Sequence, residues 1–358
     1  MPFFSGVRTL FTVLLLFTVT VCCSLGQRSA AAGDSTATVD ALQQAGAELK
    51  RNGDGAITDV RFREAAPTAG VLEALATLLD LRSLVLAETD TGDDELLLIG
   101  RLASLRNLDL RGCPVSNDGL AHLVGMRSLA AIRLSGESGA TTVDDAGLVH
   151  LAKIPTLRTV MLDFLWVSEE GLAVLAPLTE LTELTLAQTL VGDDSLPTVV
   201  RFQKLRRLRL ARTPITGAGL QSLVKLKDLR DLDLSECASL GDEAMEPVGR
   251  LVSLERLNLW RVPVGDAGLG RLAPLTSLKW LNLDNTLLSD AGVQVLAGFE
   301  QLETLHLGST AVSNAGVAEL AKLASVRELH LARTAVDEAG ITQLQKALPH
   351  TRIVSTAE

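Results

Sequence analysis

LRRLRLARTPITGAGLQSLVKL, residues Leu205 to Leu226, holds two structural periods in one short unit. Leu208 and Leu210 alternate with Arg207 and Arg209, the two-residue period of a strand with one buried face. Leu220, Leu223 and Leu226 then recur at three-residue spacing, the stripe of a short helix or 3₁₀ turn packed on one side. The unit therefore reads strand, turn, helix, turn. Neither piece buries enough apolar surface to offset its ordering entropy alone, so copies must stack into one continuous core.

The opening of that unit, an apolar residue, two others, an apolar residue, one other, an apolar residue, occurs twelve times. The starts are Ile57, Leu81, Leu105, Leu129, Leu157, Leu181, Leu205, Leu229, Leu254, Leu278, Leu302 and Val326, and a degenerate thirteenth copy lies near Ile353. Ten of the eleven steps are 24 or 25 residues, the signature of a solenoid. The repeats are numbered one to twelve from these starts. Repeat four is 28 residues long because SGESGATT, Ser135 to Thr142, swells the turn after its strand. Such inserts often mark a functional rim, but this one is small and lacks aromatics, and it reads as a tolerated loop.

The pattern LxxLxLxxTxVxDxGLxxLxxL resembles the leucine-rich repeat family from about Ile57 to the end of the chain. The Thr or Cys after the strand, at Cys113, Thr189, Thr213, Cys237, Thr286, Thr310 and Thr334, is most similar to the cysteine-containing repeats of F-box substrate receptors. The resemblance implies an α/β leucine-rich repeat solenoid, a right-handed superhelix with a parallel sheet on its concave face and short helices on its convex face. It does not imply ubiquitin chemistry, because nothing like an F-box helical module precedes the array.

An export signal precedes it instead. Phe3, Phe4 and Arg8 lead into an apolar stretch from Leu10 to Cys23, then Ser24, Leu25, Gly26 and polar sequence. Roughly fourteen apolar residues fall short of the about 20 that span a bilayer. The expected organisation is a signal peptide at 1–26, a flexible tether at 27–38, an N-terminal cap at 39–56, with a helix over Val39 to Lys50, and the repeat domain at 57–358. Cys22 or Cys23 as a lipid-bearing residue is the alternative, and it is the one route to the membrane that the chain offers.

Hydrophobic residues make up 47% of the chain and charged ones 21%, ample for a long core. A net charge of -10 argues against nucleic acid as partner, since phosphate backbones require a basic stripe. Cys113 and Cys237 share one column five repeats apart, hence about 24 Å at ~4.8 Å per strand, too far for a disulfide. They read as small buried residues.

Several constellations resemble chemistry and are read as structure. NGDGAITD, Asn52 to Asp59, has the look of a calcium loop, but Lys50 and Arg61 stand at its first and twelfth positions, where carboxylates are needed. It reads as a turn into the first strand. Asn117, Asp145, Asp193, Asp266, Asp290 and Asn314 recur at one position of their repeats, just before Gly-Leu, Ala-Gly-Leu or a similar triplet, the expected place of helix N-caps. The glycines that follow are expected to permit close packing. There is no HExxH, no phosphate loop and no GxSxG elbow. No catalytic residue, metal site or cofactor is assigned. His306 and His330 share a strand column and should lie about 5 Å apart, as part of a binding surface rather than a metal pair.

The residues alternating with the core leucines should line the concave face. Ser83, Val85, Asn107, Asp109, Ala131 and Arg133 make its first half small and mixed. From repeat seven it changes, with Arg207, Arg209 and Arg212, then Asp231, Asp233 and Glu236, then Arg256, Asn258, Trp260 and Arg261, and finally Trp280, Asn282, Asp284, His306, His330 and Arg333. Trp and Arg are the types most enriched at binding hot spots. The charges admit two readings, recognition or cross-strand ladders. Trp166 lies beyond its strand and is expected to pack. The candidate ligand-binding set is Arg207, Arg209, Asp233, Arg256, Asn258, Trp260, Trp280, Asn282, Asp284, His306 and His330, on an exported non-catalytic scaffold whose partner is another protein. The alternatives are a structural or lipid-tethered envelope component and a substrate-receptor subunit of a ubiquitin-ligase-like complex.

Overall fold

The computed structural model describes residues 34–63 and 65–356. The signal segment, Cys22, Cys23 and the first part of the tether lie outside the described residues.

Among the described residues, fourteen strands form one sheet in strict sequence order. Thirteen run parallel in one register, so that Leu208 faces Leu184 on one side and Leu232 on the other. Each but the last is followed by a short helix, from four to ten residues long. The start leucines, the strand leucines and the helix leucines meet in a single core: Leu205, Leu208, Leu210 and Leu223 are all 0% exposed. Truncating one such leucine to alanine costs about 2–5 kcal/mol. The last strand, Arg352–Val354, completes the degenerate thirteenth copy, with Ile353 in register with Leu329.

The N-terminal cap differs from the single helix expected. Helix α1 runs Thr36–Gln44 and strand β1 Glu48–Arg51, which pairs antiparallel with β2, Ile57–Arg61. Gly46, at φ 76°, breaks the helix. Its N–H donates to Gln43 O and that of Ala47 to Leu42 O, the paired closure of a Schellman turn. Leu49, placed on the helix by its spacing, sits on β1 instead. The helix also starts inside the segment read as tether, where Thr38 is buried and Asp34 accepts a hydrogen bond from Ile57 N. NGDGAITD is the hairpin turn between β1 and β2. Asn52 Oδ1 accepts from Asp54 N and Ala56 N, and Gly55 takes φ 85°.

The row of acidic residues is not the row of N-caps. The cap positions lie one residue earlier, at Ser116, Asp144, Ser289 and Ser313, and at Gly192 and Gly265, which have no side chain to cap with; Ser168, Thr216 and Asp337 cap further helices in the same way. Asn117, Asp145 and their equivalents hold the first helical position and point at the next repeat. Asp145 Oδ1 accepts from Ser168 N at 2.8 Å and its Oδ2 from the Ser168 hydroxyl at 2.5 Å. Asp93 on Ser116, Asp193 on Thr216, Asp266 on Ser289 and Asp290 on Ser313 repeat this two-pronged grip. Where the next cap is itself a carboxylate, at Asp144 and Asp337, the gripping residue is Asn117 or Asn314, so two anions never meet.

Each grip occupies the space above a glycine of the next repeat. A Cβ on Gly268 would lie 2.5 Å from Asp242 Oδ1, and one on Gly316 2.6 Å from Asp290 Oδ1; Gly119, Gly147, Gly171, Gly219, Gly292 and Gly340 are blocked the same way. The dependence is reciprocal. Where the gripping residue is missing, as at Ala69, Glu169 and Gly217, the following repeat carries Glu95, Ser195 or Ala244 where a glycine would stand. Eight clasps and eight glycines thus go together, and three joints have neither.

Cys113 and Cys237 are free and fully buried, and burial pushes both thiols up. Each Sγ lies 3.0–3.1 Å from the strand carbonyl of the preceding repeat, Leu86 O or Leu210 O, whereas Thr213 and Thr286 bond a carbonyl of their own repeat.

Candidate functional site

All eleven candidate residues lie on the strand face in two adjoining columns and the positions just after them. They separate into two chemically distinct groups.

From repeat five to repeat nine the charges are matched. Arg207 stands between Glu183 at 3.1 Å and Asp231 at 3.5 Å, and Arg256 meets the same Asp231 at 3.6 Å. The Glu183 contact is an ion pair without hydrogen-bond geometry, since that oxygen has no hydrogen-bond partner. In the neighbouring column Arg209 holds Asp163 at 2.7 Å and Asp233 at 3.1 Å. Its reach to Asp163 crosses repeat six, where the Thr185 hydroxyl is buried without a partner. A third row, Gln188, Arg212, Glu236 and Arg261, is built by residues in the left-handed region, φ 53° to 58°, whose N–H groups donate to the next repeat. The charged set is therefore a cross-strand lattice, and Asp163 and Glu183 belong to it although the residue pattern alone did not single them out. Burial raises the Asp231 carboxyl above its usual range against the pull of Arg207 and Arg256.

From repeat nine to repeat twelve the face carries planar groups instead. The Arg256 guanidinium lies 4.2 Å over the Trp280 ring, Trp280 is 5.4 Å from the His306 ring, and His306 stacks on His330 at 4.0 Å with only 9° between planes. Arg261 covers Trp260 at 5.4 Å. Asn258 and Asn282 accept from the backbone N–H two residues on, which fixes the strand ends that carry Trp260 and Asp284. Both indoles are half-buried. A shallow depression of about 340 Å³ lies between Trp260, Arg261, Asp284, His330 and Arg333. Among the described residues no cluster of three or more His, Cys, Asp or Glu is arranged to hold a metal.

One expectation changes. Trp166 does not pack: it is 73% exposed, because Leu165 and Val167 on either side turn inward and the extended chain alternates. Leu190, one repeat on in the same column, is exposed as well. Ser135, Glu137 and Ser138 wall a depression of about 460 Å³ on the strand face, opposite Arg61, Arg63 and Arg111.

The leucine-rich repeat family model matches residues 101–124, 203–224 and 225–249. Among solved structures, an internalin, InlF, from Listeria monocytogenes is similar at 17% identity and a TM-score of 0.61, over 90% of this chain and 94% of that one. A chain of the Rad7 and Elc1 complex in yeast is similar at 19% identity and a TM-score of 0.51, over 80% and 82%. No curated protein matches the sequence. The parallel one-register sheet, the alternation of strand and helix and the three matched copies agree: the chain folds as an α/β leucine-rich repeat solenoid.

Proposed function

We propose that this protein is an exported, non-catalytic scaffold that binds another protein through the strand face of repeats seven to twelve. The observation that carries the reading is the contrast within that face. Repeats five to nine neutralise their own charges laterally, whereas repeats nine to twelve present two half-exposed tryptophans and two stacked histidines that serve no core. Large aromatic groups held rigid and part-exposed lose little entropy on contact and dominate binding energy. Export rests on the leader-like sequence before Gly26, with a periplasmic, cell-surface or secreted destination.

Trp260→Ala and Trp280→Ala test the binding reading. Each should weaken partner capture by about 2 kcal/mol or more while leaving the melting temperature within a degree or two. Undiminished capture by both variants would favour a structural envelope component in which the array is a spacer. Mass spectrometry of the mature N-terminus tests export, and would show a lipid at Cys22 or Cys23 directly.

A further inference from the structure

Among the described residues, the strand face of repeats nine to twelve carries a charge opposite to that of the whole chain. Arg256, Arg261 and Arg333 stand there against Asp284 and Glu328, in a protein of net charge -10. Two of these arginines share their carboxylate with a second arginine that lies as close or closer. Arg256 is 3.6 Å from Asp231, which Arg207 approaches to 3.5 Å, and Arg261 is 3.4 Å from Glu236, which Arg212 holds at 2.5 Å. Arg333 has no ion pair among the described residues.

The planar row runs through the middle of this positive patch. His306 faces Asp284, with Nδ1 3.5 Å from Oδ2, and His330 faces Glu328, with Nε2 3.1 Å from Oε1. Both carboxylates are already engaged: Asp284 accepts from Gly308 N, and Glu328 is bridged by Arg352 at 2.8 Å. On the remaining sides the pair meets Trp280 and, around the depression, Arg261 and Arg333. A proton taken up by either imidazole therefore adds to a surface already in excess of positive charge, and the ring 4.0 Å away feels it.

We infer that the row Arg256, Trp280, His306 and His330 docks an extended acidic segment of the partner, and that protonation of the histidine pair tightens the grip. The inference rests on the reading of this face as a protein-binding surface and adds the chemistry of what it takes. Aromatic faces supply contact area, the under-paired guanidiniums select carboxylates, and the imidazoles tune the strength between pH 5 and 8.

The test uses the full chain and labelled peptides of roughly ten residues, enough at ~3.3 Å per residue to cross the four repeats. One peptide alternates Glu with apolar residues, a second has Gln for Glu, and a third Lys. Fluorescence anisotropy is read at about pH 7.5 and about pH 5.8, a range in which histidine side chains can change charge while the peptide's Glu residues stay ionised. The Glu peptide should bind, and bind roughly fivefold tighter at the lower pH, as expected for two partly exposed charges at ~0.5 kcal/mol each. The Gln and Lys peptides should fall well behind. His306→Gln combined with His330→Gln should keep the affinity at the higher pH and lose the gain, with His122, His150 and His350 still present as internal controls. Arg333→Gln should weaken the Glu peptide at both pH values.

Equal binding of the Glu and Gln peptides, no gain at the lower pH, a gain that survives the double histidine variant, or no binding of any peptide would each overturn the inference. If the peptides fail while Trp280→Ala still loses the native partner, the acidic ligand is wrong and the surface is right. If the tryptophan variants also capture normally, both readings fall together.

Discussion

The two sides of each repeat follow different rules. At the helix entrance, carboxylates and amides return at one register position, each bound to the backbone of the next copy and each above a glycine. On the strand face the same residue types change from copy to copy and bind one another sideways. Repetition is what a stacking joint requires, because every joint has the same geometry and each stabilises only its neighbours. Variation is what a recognition surface requires, because a ligand meets each copy once. A recurring acidic row in a solenoid is therefore better evidence for scaffold than for site, and the positions that break the pattern are those worth testing for binding.

The largest effect should come from filling a clasp. Gly219→Val places side-chain atoms where Asp193 Oδ1 and Leu196 sit, and should cost about 3 kcal/mol in a urea denaturation series. A loss below about 0.5 kcal/mol would mean that the clasp has slack and the glycine is incidental. Removing the gripping group comes next. Asp193→Ala leaves Thr216 N–H and its hydroxyl without their acceptor and should cost about 1–2 kcal/mol. The double change Asp193→Ala with Gly219→Ala should cost less than the sum of its parts, since the Cβ then enters space that the carboxylate has left.

The joint between repeats seven and eight sharpens the comparison from the other direction. Gly217 and Ala244 stand where a clasp and its glycine would be, and Gly241 N–H is the group such a clasp would bind. Gly217→Asp alone should destabilise, because a Cβ at Gly217 already lies 3.2 Å from that of Ala244. Ala244→Gly alone should cost about 1 kcal/mol through helix propensity. Together they should recover at least the wild-type stability. Additive losses would show that the rule linking the two positions is a coincidence of eight joints.

Much of this was legible in the residues. The period, the register, the core leucines and the columns of the strand face follow from spacing alone, and the histidines expected about 5 Å apart stack at 4.0 Å. What spacing could not show is where a polar side chain points. An Asp before Ala-Gly-Leu satisfies the composition of an N-cap, yet the cap position is the preceding residue, Asp144 before Asp145 or Gly265 before Asp266, and the Asp serves the next repeat. The signal was present in the chain as the joint absence of Asp or Asn and Gly at three joints, which emerges only when adjacent repeats are compared in pairs. Gly46 ended a helix whose apolar spacing ran on to Leu49, because a left-handed turn outweighs periodicity. The alternating signs after repeat six left recognition and lattice equally open, and the distances show that these charges pair sideways.

The smallest effect is expected in that lattice, and its sign is informative. Asp231 sits between Arg207 and Arg256, yet burial outweighs both and raises its carboxyl above the usual range. The folded state thus holds the Asp231 proton more tightly than the unfolded chain does. Stability contributed by this group falls as pH rises through the window between the unfolded and the folded value, and at neutral pH the charged form is a net cost. Asp231→Asn should therefore leave stability at pH 7 unchanged or raise it by up to about 1 kcal/mol, and the difference from wild type should shrink as pH drops through that window. A loss at neutral pH would show that the arginines repay the desolvation of Asp231 in full. A gain would mean that the lattice holds Arg207 and Arg256 in position at some expense of stability, which sets it apart from the clasps that hold the repeats together.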